Sequence, residues 1–243
     1  NRYGSLGLGR STTVSTPTLV PFTLDTPIRE VFLSGGFHAA SYLVDTQGKL
    51  WVAGEANACG FGSDQSVHRL LMPWGSDKRV KKVFCSESDG HWVAGAQYYR
   101  AYGVVLEDGS LYRWGHDSGQ IGGSWGTGFT GDIWTGHALF PYKVLDGVTD
   151  AYAISGDYGR TLALMQDGYS IGGGSDRTAW ATIGGDFLTQ VPKLRVYGSS
   201  YGSSAMALRS DGKAVGWGMG VTGQCGHGYA DTSNAPSRFV LID

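Results

Sequence analysis

The feature that most constrains this chain is a tight turn that recurs four times. Gln47-Gly48-Lys49-Leu50-Trp51, Asp108-Gly109-Ser110-Leu111-Tyr112, Asp167-Gly168-Tyr169-Ser170-Ile171 and Asp211-Gly212-Lys213-Ala214-Val215 share a polar residue, a glycine and a short apolar run. Six residues after each turn glycine comes another, at Gly54, Gly115, Gly174 and Gly218. Three copies add a later one, at Gly60, Gly119 and Gly223. Asn1-Arg2-Tyr3-Gly4-Ser5-Leu6-Gly7 reads as the same end piece of an earlier unit. A repeat of this length governs the fold, because one unit cannot bury its apolar face alone and the copies have to stack.

Asp-Gly between alternating apolar runs is a strong hairpin signal, and a type I′ turn would need positive φ at both central residues. Residues 39–44 and 49–52 suit the two arms of the first hairpin, 102–106 and 110–114 those of the second. Residues 161–165 and 205–208 suit leading arms of the third and fourth. Residues 28–32 and 80–84 add an upstream strand each. Pro17, Pro73, Pro141, Pro192 and Pro236 open the units, and the stretch Pro17 to Phe22 is expected as an outermost strand, since proline tolerates only a sheet edge. No segment carries a 3.6-residue period for more than two turns. Three to four short antiparallel strands per unit, repeated at roughly 50 residues, make an all-β chain of β-propeller type.

The unit boundaries expected from the repeat are 1–9 for the end of one blade, 10–62, 63–122, 123–180 and 181–228 for four blades, and 229–243 for the start of a further one. Four units leave sheet edges open, and open edges invite pairing. The expectation is an arc of a longer chain, or one whose ends are capped by partners.

The residues that carry a resemblance are Ser34-Gly35-Gly36-Phe37-His38, then strand and Asp-Gly, then Leu111-Tyr112-Arg113-Trp114-Gly115 and Ser118-Gly119-Gln120-Ile121-Gly122, with Trp217-Gly218 and Gly223-Gln224-Cys225-Gly226 in the last copy. This pattern resembles the repeats of the regulator of chromosome condensation, the RCC1-like propellers, over nearly the whole chain. The third copy departs from it, with Ile171-Gly172-Gly173-Gly174 where tryptophan is usual, and the second carries an insertion around Ser86 to Gly95. The resemblance implies architecture first. It also implies that some relatives act as guanine-nucleotide exchange factors or bind chromatin. Fold alone does not choose among such roles.

Composition excludes several classes. Forty glycines, eight Trp, thirteen Tyr and nine Phe in 243 residues, with 16% charged and a net charge of −2, fit neither collagen nor a disordered chain. The near-neutral charge also disfavours nucleic acid as a partner. No apolar run is long enough to span a membrane as a helix. Cys59, Cys85 and Cys225 are too few for a disulfide framework and read as small buried thiols.

Chemical motifs are sparse. Gly198-Ser199-Ser200-Tyr201-Gly202 matches the nucleophile elbow, which needs a strand-to-helix turn, but a strand is expected after it. The six histidines lack metal-ligand spacing, and Cys225-Gly226-His227 is too short for a zinc half-site. Lys78-Arg79-Val80-Lys81-Lys82 reads as the wet side of a strand. No catalytic residue, metal or cofactor is expected.

The informative residues are aromatic ones on glycine-rich connections: Trp92, Tyr98 and Tyr99 in the second unit's insertion, Trp125, Phe129 and Trp134 between Gly122 and Phe140, and Arg177 with Trp180 in the third tail. Such rings give large contact area at low entropic cost, which is how hot spots are built. They are the candidate binding residues. The expected partner is a protein or cell-surface receptor, a glycan among the candidates, or a neighbouring subunit. Low charge and Gly/Ser/Thr-rich insertions lean toward an extracellular or virion part, such as a phage tail fibre or an adhesin. The rival is an RCC1-type exchange factor or chromatin-associated regulator.

Overall fold

The computed structural model describes residues 1–34, 39–85, 101–116, 137–154, 160–165, 170–174, 177–183, 193–199, 202–218 and 240–242. Sixteen strands are described, and they form four antiparallel sheets of four, each a meander in chain order. The first sheet holds β1 (Ile28–Ser34), β2 (Ala40–Asp45), β3 (Leu50–Gly54) and β4 (Gln65–Leu71), and the second β5 (Val80–Cys85), β6 (Ala101–Leu106), β7 (Leu111–His116) and β8 (His137–Leu145). The third holds β9 (Val148–Ile154), β10 (Arg160–Met165), β11 (Ser170–Gly174) and β12 (Arg177–Ile183). β13 (Lys193–Ser199), β14 (Gly202–Leu208), β15 (Ala214–Gly218) and β16 (Val240–Ile242) make the fourth. The helical residues described are one 3₁₀ turn, Arg2–Gly4, and the four-residue α1, Ala56–Cys59. β5 lies against β1, β9 against β5, and β13 against β9, so the leading strands of successive sheets adjoin one another. That is the stacking a propeller requires.

The hairpins form where the glycines stand, with a different turn. Gly48, Gly109 and Gly212 have φ of 77°, 83° and 82°, yet the residues before them do not leave the negative region. Gly48 N–H donates to Asp45 C=O and Asp45 N–H to Lys49 C=O. Gly109 with Leu106 and Gly212 with Arg209 repeat the pattern. This is the three-residue loop, a type I turn closed by a glycine bulge, rather than the two-residue type I′ turn. Asp108 and Asp211 accept from the N–H two residues on, at Ser110 and Lys213, which holds the turn from its side chain. Gly109→Ala is expected to cost about 1–2 kcal/mol in urea unfolding, because only glycine takes the left-handed conformation freely.

The outermost strands depart from expectation. Residues 17–22 belong to no strand. The outer strands β4 and β8 instead close the sheet already begun, with Pro73 just beyond β4 and Pro141 inside β8, where the register shifts. The repeat boundaries at 62/63 and 122/123 therefore fall between the third and fourth strands of a sheet, and 180/181 falls inside β12. Repeat and sheet are out of phase.

The main core lies between the first two sheets. Tyr42, Val44, Leu50 and Val52 from one and Val83, Cys85, Tyr102, Val104 and Trp114 from the other are buried together. Tyr42, Tyr102 and Trp114 form a triangle with ring centroids 6.2–6.4 Å apart. Tyr42 Oη and Trp114 Nε1 both donate to the carbonyl of Ala58, each at 2.7 Å. One backbone acceptor on α1 thus ties two sheets together. Phe84, Val105 and Leu111 on the other face of the second sheet pack on Val148 and Ala151 of the third.

Candidate binding surface at one end of the second sheet

In an antiparallel meander the connection between strands one and two leaves from the same end as that between strands three and four. In the second sheet these connections run from Cys85 to Ala101 and from His116 to His137, covering residues 86–100 and 117–136. The corresponding first connection is 35–39 in the first sheet and 155–159 in the third. Connections of 15 and 20 residues far exceed what a hairpin needs. Both ends of the two connections whose sequence holds Trp92, Tyr98, Tyr99, Trp125, Phe129 and Trp134 therefore attach at one end of one sheet. These six residues lie outside the described ones. Arg177 and Trp180 do not share this origin: their backbone forms the outer strand β12, with Gly174 paired to Arg177, so they stand on a sheet edge rather than on a tail loop.

Several described polar groups hold the sheets together. Within the basic cluster, Lys78 pairs with Asp108 at 2.7 Å, Lys82 pairs with Asp150, and Lys81 Nζ donates to Thr149 C=O at 2.7 Å. The Lys78 ammonium, with Ser110 N–H, holds the Asp108 carboxyl down at about 2. Arg29 Nη2 donates to Val80 C=O, joining the first sheet to the second. Three of its four basic side chains, Lys78, Lys81 and Lys82, thus have acceptors within the chain.

Two further polar sites are structural. Asp45 is buried and accepts from Thr26 Oγ1, Trp51 Nε1 and the N–H groups of Gln47 and Lys49. Burial raises its pKa, but these four bonds outweigh it and the net shift is downward. Ser41 Oγ lies 2.8 Å from His68 Nε2, a pair 27 residues apart that no spacing rule singles out. Burial pushes the His68 imidazole down to about 4, so it stays neutral at ordinary pH. Cys59 and Cys85 are buried thiols, and burial pushes the Cys59 thiol up to about 12, away from any nucleophilic role. Cys225 lies outside the described residues.

Ser200 lies outside them too, but its flanks are informative. Ser199 ends β13, Gly202 opens β14, and the two are paired across a hairpin. A nucleophile elbow needs a helix at that point. Among the described residues no three His, Cys, Asp or Glu side chains gather as a metal ion would require, and no helix is long and apolar enough to cross a membrane.

Four-stranded meanders stacked through their leading strands, with α1 of the first sheet packed on the second, define a repeat β-propeller of which the chain supplies an arc. No protein-family profile matches the chain. It is 25% identical over 249 aligned positions to RCC1 domain-containing protein RUG3, mitochondrial, from Arabidopsis thaliana, across 98% of this chain and 53% of that one. Half of it is 30% identical to the X-linked retinitis pigmentosa GTPase regulator of Canis lupus familiaris, covering 11% of that protein. Among solved structures it is similar to human WBSCR16, with a TM-score of 0.65 and 16% identity over all of this chain and 61% of that one. Prp20p from Saccharomyces cerevisiae gives 0.61 and 19% over 99% and 57%. The chain is an RCC1-like repeat β-propeller. It spans about half the length of the first of these curated relatives and a small part of the second.

Proposed function

We propose that the chain is a non-catalytic, protein-binding part of an RCC1-like propeller, with its contact surface on the two long connections of the second sheet. The observation that carries this reading is that both connections, with six aromatic residues between them, are anchored at one end of one sheet. Several described charged groups meanwhile have partners of their own within the chain. Hot spots draw on Trp, Tyr and Arg, and an aromatic loop cluster on a rigid sheet supplies them with little ordering cost. The receptor-surface or virion setting suggested by composition finds no support among the relatives.

A regulatory reading is at least as consistent, and the names of two similar proteins favour it. One relative is named a GTPase regulator, and the Prp20p structure is described with that protein's binding to Gsp1p and histones. One experiment separates the two. Release of labelled GDP from small GTPases of the source organism stays flat if the chain only binds, and accelerates if it is an exchange factor. For any protein partner, Trp125→Ala and Trp134→Ala together are expected to weaken binding by about 2 kcal/mol or more, roughly thirtyfold in Kd. Unchanged affinity would move the surface elsewhere.

A further inference from the structure

Of the seven prolines, only two follow a hydroxyl residue: Pro17 after Thr16 and Pro27 after Thr26. A Thr-Pro step carries a recognition signal of its own, because proline has no N–H and biases the residue before it toward extended backbone. An enzyme that takes its substrate as extended chain can select the step by seating the ring where other residues would bring an N–H. The two steps are placed very differently.

Thr26 is engaged. Its Oγ1 donates to Asp45 Oδ2 at 3.1 Å in a half-buried setting. Hydrogen bonds from Lys49, Trp51, Thr26 and Gln47 hold that carboxyl below its usual pKa, so it is charged at neutral pH. A phosphate on Thr26 would lose this bond and meet a carboxylate. Thr16 differs on each count. Residues 11–18 hold no strand or helix, and Ser11, Thr12, Thr13, Ser15, Thr16 and Thr18 are all exposed. The Thr16 carbonyl accepts from Thr18 Oγ1 at 3.0 Å, while its own hydroxyl makes no hydrogen bond among the described residues.

Charge points the same way. Residues 1–24 contain Arg2 and Arg10 and no Asp or Glu, a side-chain charge of +2 in a chain of net −2. A phosphate adds about −1.5 to −2 at neutral pH. On Thr16 it meets no carboxylate of its own segment and nearly cancels the local positive charge. Five other hydroxyls share the exposure, but Thr16 alone among them is followed by proline. Exposure thus makes the segment accessible, and Pro17 singles out one residue within it.

We propose that Thr16 is a phosphorylation site for a proline-directed protein kinase, and that the modification turns a cationic segment into a near-neutral one. In that step Thr16 Oγ attacks the terminal phosphorus of a nucleoside triphosphate. The bond from that phosphorus to the bridging oxygen breaks, the diphosphate leaves, and the hydroxyl proton passes to a base of the kinase. The site is independent of the contact surface proposed on the second sheet.

The test has two arms. Trypsin releases residues 11–29 as one peptide, since no Lys or Arg lies between Arg10 and Arg29, and fragment masses then tell Thr16 from Thr26. With a purified proline-directed Ser/Thr kinase and Mg-ATP, residues 1–243 should take up phosphate at Thr16. Thr16→Ser should keep the labelling. Pro17→Ala should slow it at least about tenfold, the scale of losing one specificity contact. Both positions lie outside every sheet, so each variant should keep the parent's Tm. Protein isolated from its source cells should carry one phosphoryl group on the same residue, lost on phosphatase treatment. No label, label at Thr26, equal labelling of Pro17→Ala, an unmodified peptide from the source, or a glycan spread over the six hydroxyls would each overturn the proposal.

Discussion

Trp114→Ala is expected to destabilise the protein by about 3–5 kcal/mol, the range for emptying a large aromatic site in a packed core. The indole is fully buried between two sheets, stacks on Tyr102 and donates to Ala58 C=O. Its removal leaves a cavity at the junction and one fewer tie across it. Since a domain's whole stability is about 5–15 kcal/mol, urea unfolding should show most of the margin gone. Trp114→Phe keeps the ring and drops the N–H, while Tyr42 still serves the same carbonyl. It should cost only about 1–1.5 kcal/mol for the lost bond, plus a small packing term. A Trp114→Ala chain as stable as the parent would mean that this junction does not hold the two sheets together.

The hairpins were legible because a glycine after a polar residue, between apolar runs, has few other uses. Their turn type was not. Glycine marks one residue of positive φ, and the sequence does not say whether the residue before it joins the turn or the strand; the Asp45 N–H to Lys49 C=O bond decides that. The outer strands hid for a different reason. β4 buries Gln65, His68 and Leu71, every third residue, so it carries no two-residue alternation. Proline then drew attention to residues 17–22, which have the composition of an edge strand without a partner to pair with.

Of the candidate surface, the long aromatic connections showed in the sequence through length and composition, and the meander supplied what was missing, their common end. Arg177 and Trp180 misled because the glycine run before them looks like a tail, whereas only residues 175–176 separate β11 from β12. The junction at Ala58 has no sequence signature at all, since a backbone carbonyl is available at every residue. Nor has the Ser41–His68 pair, which pairing of β2 with β3 and β3 with β4 brings together from 27 positions apart.

That pair sets the second large effect, a loss of stability in mild acid. The unfolded His68 takes up a proton near pH 6.5, whereas burial holds the folded imidazole at about 4. Between these values the unfolded chain binds more protons, so stability must fall as pH falls; the contribution is complete above about 6.5 and lost on the way to 4. The full linkage would exceed 3 kcal/mol, and with partial screening of the ring about 2 kcal/mol is expected between pH 7.5 and 4.5. Protonation also strikes where the fold can least relax, because Gly7 and Phe22 press on the same ring. Asp45, lowered rather than raised, contributes its own loss only further down, below the usual carboxylate range. His68→Gln keeps a polar partner for Ser41 and removes the titration. Its urea midpoint should lie below the parent's at pH 7.5 but drop less than half as far by pH 4.5. Equal slopes for parent and variant would assign the acid response to the carboxylates instead.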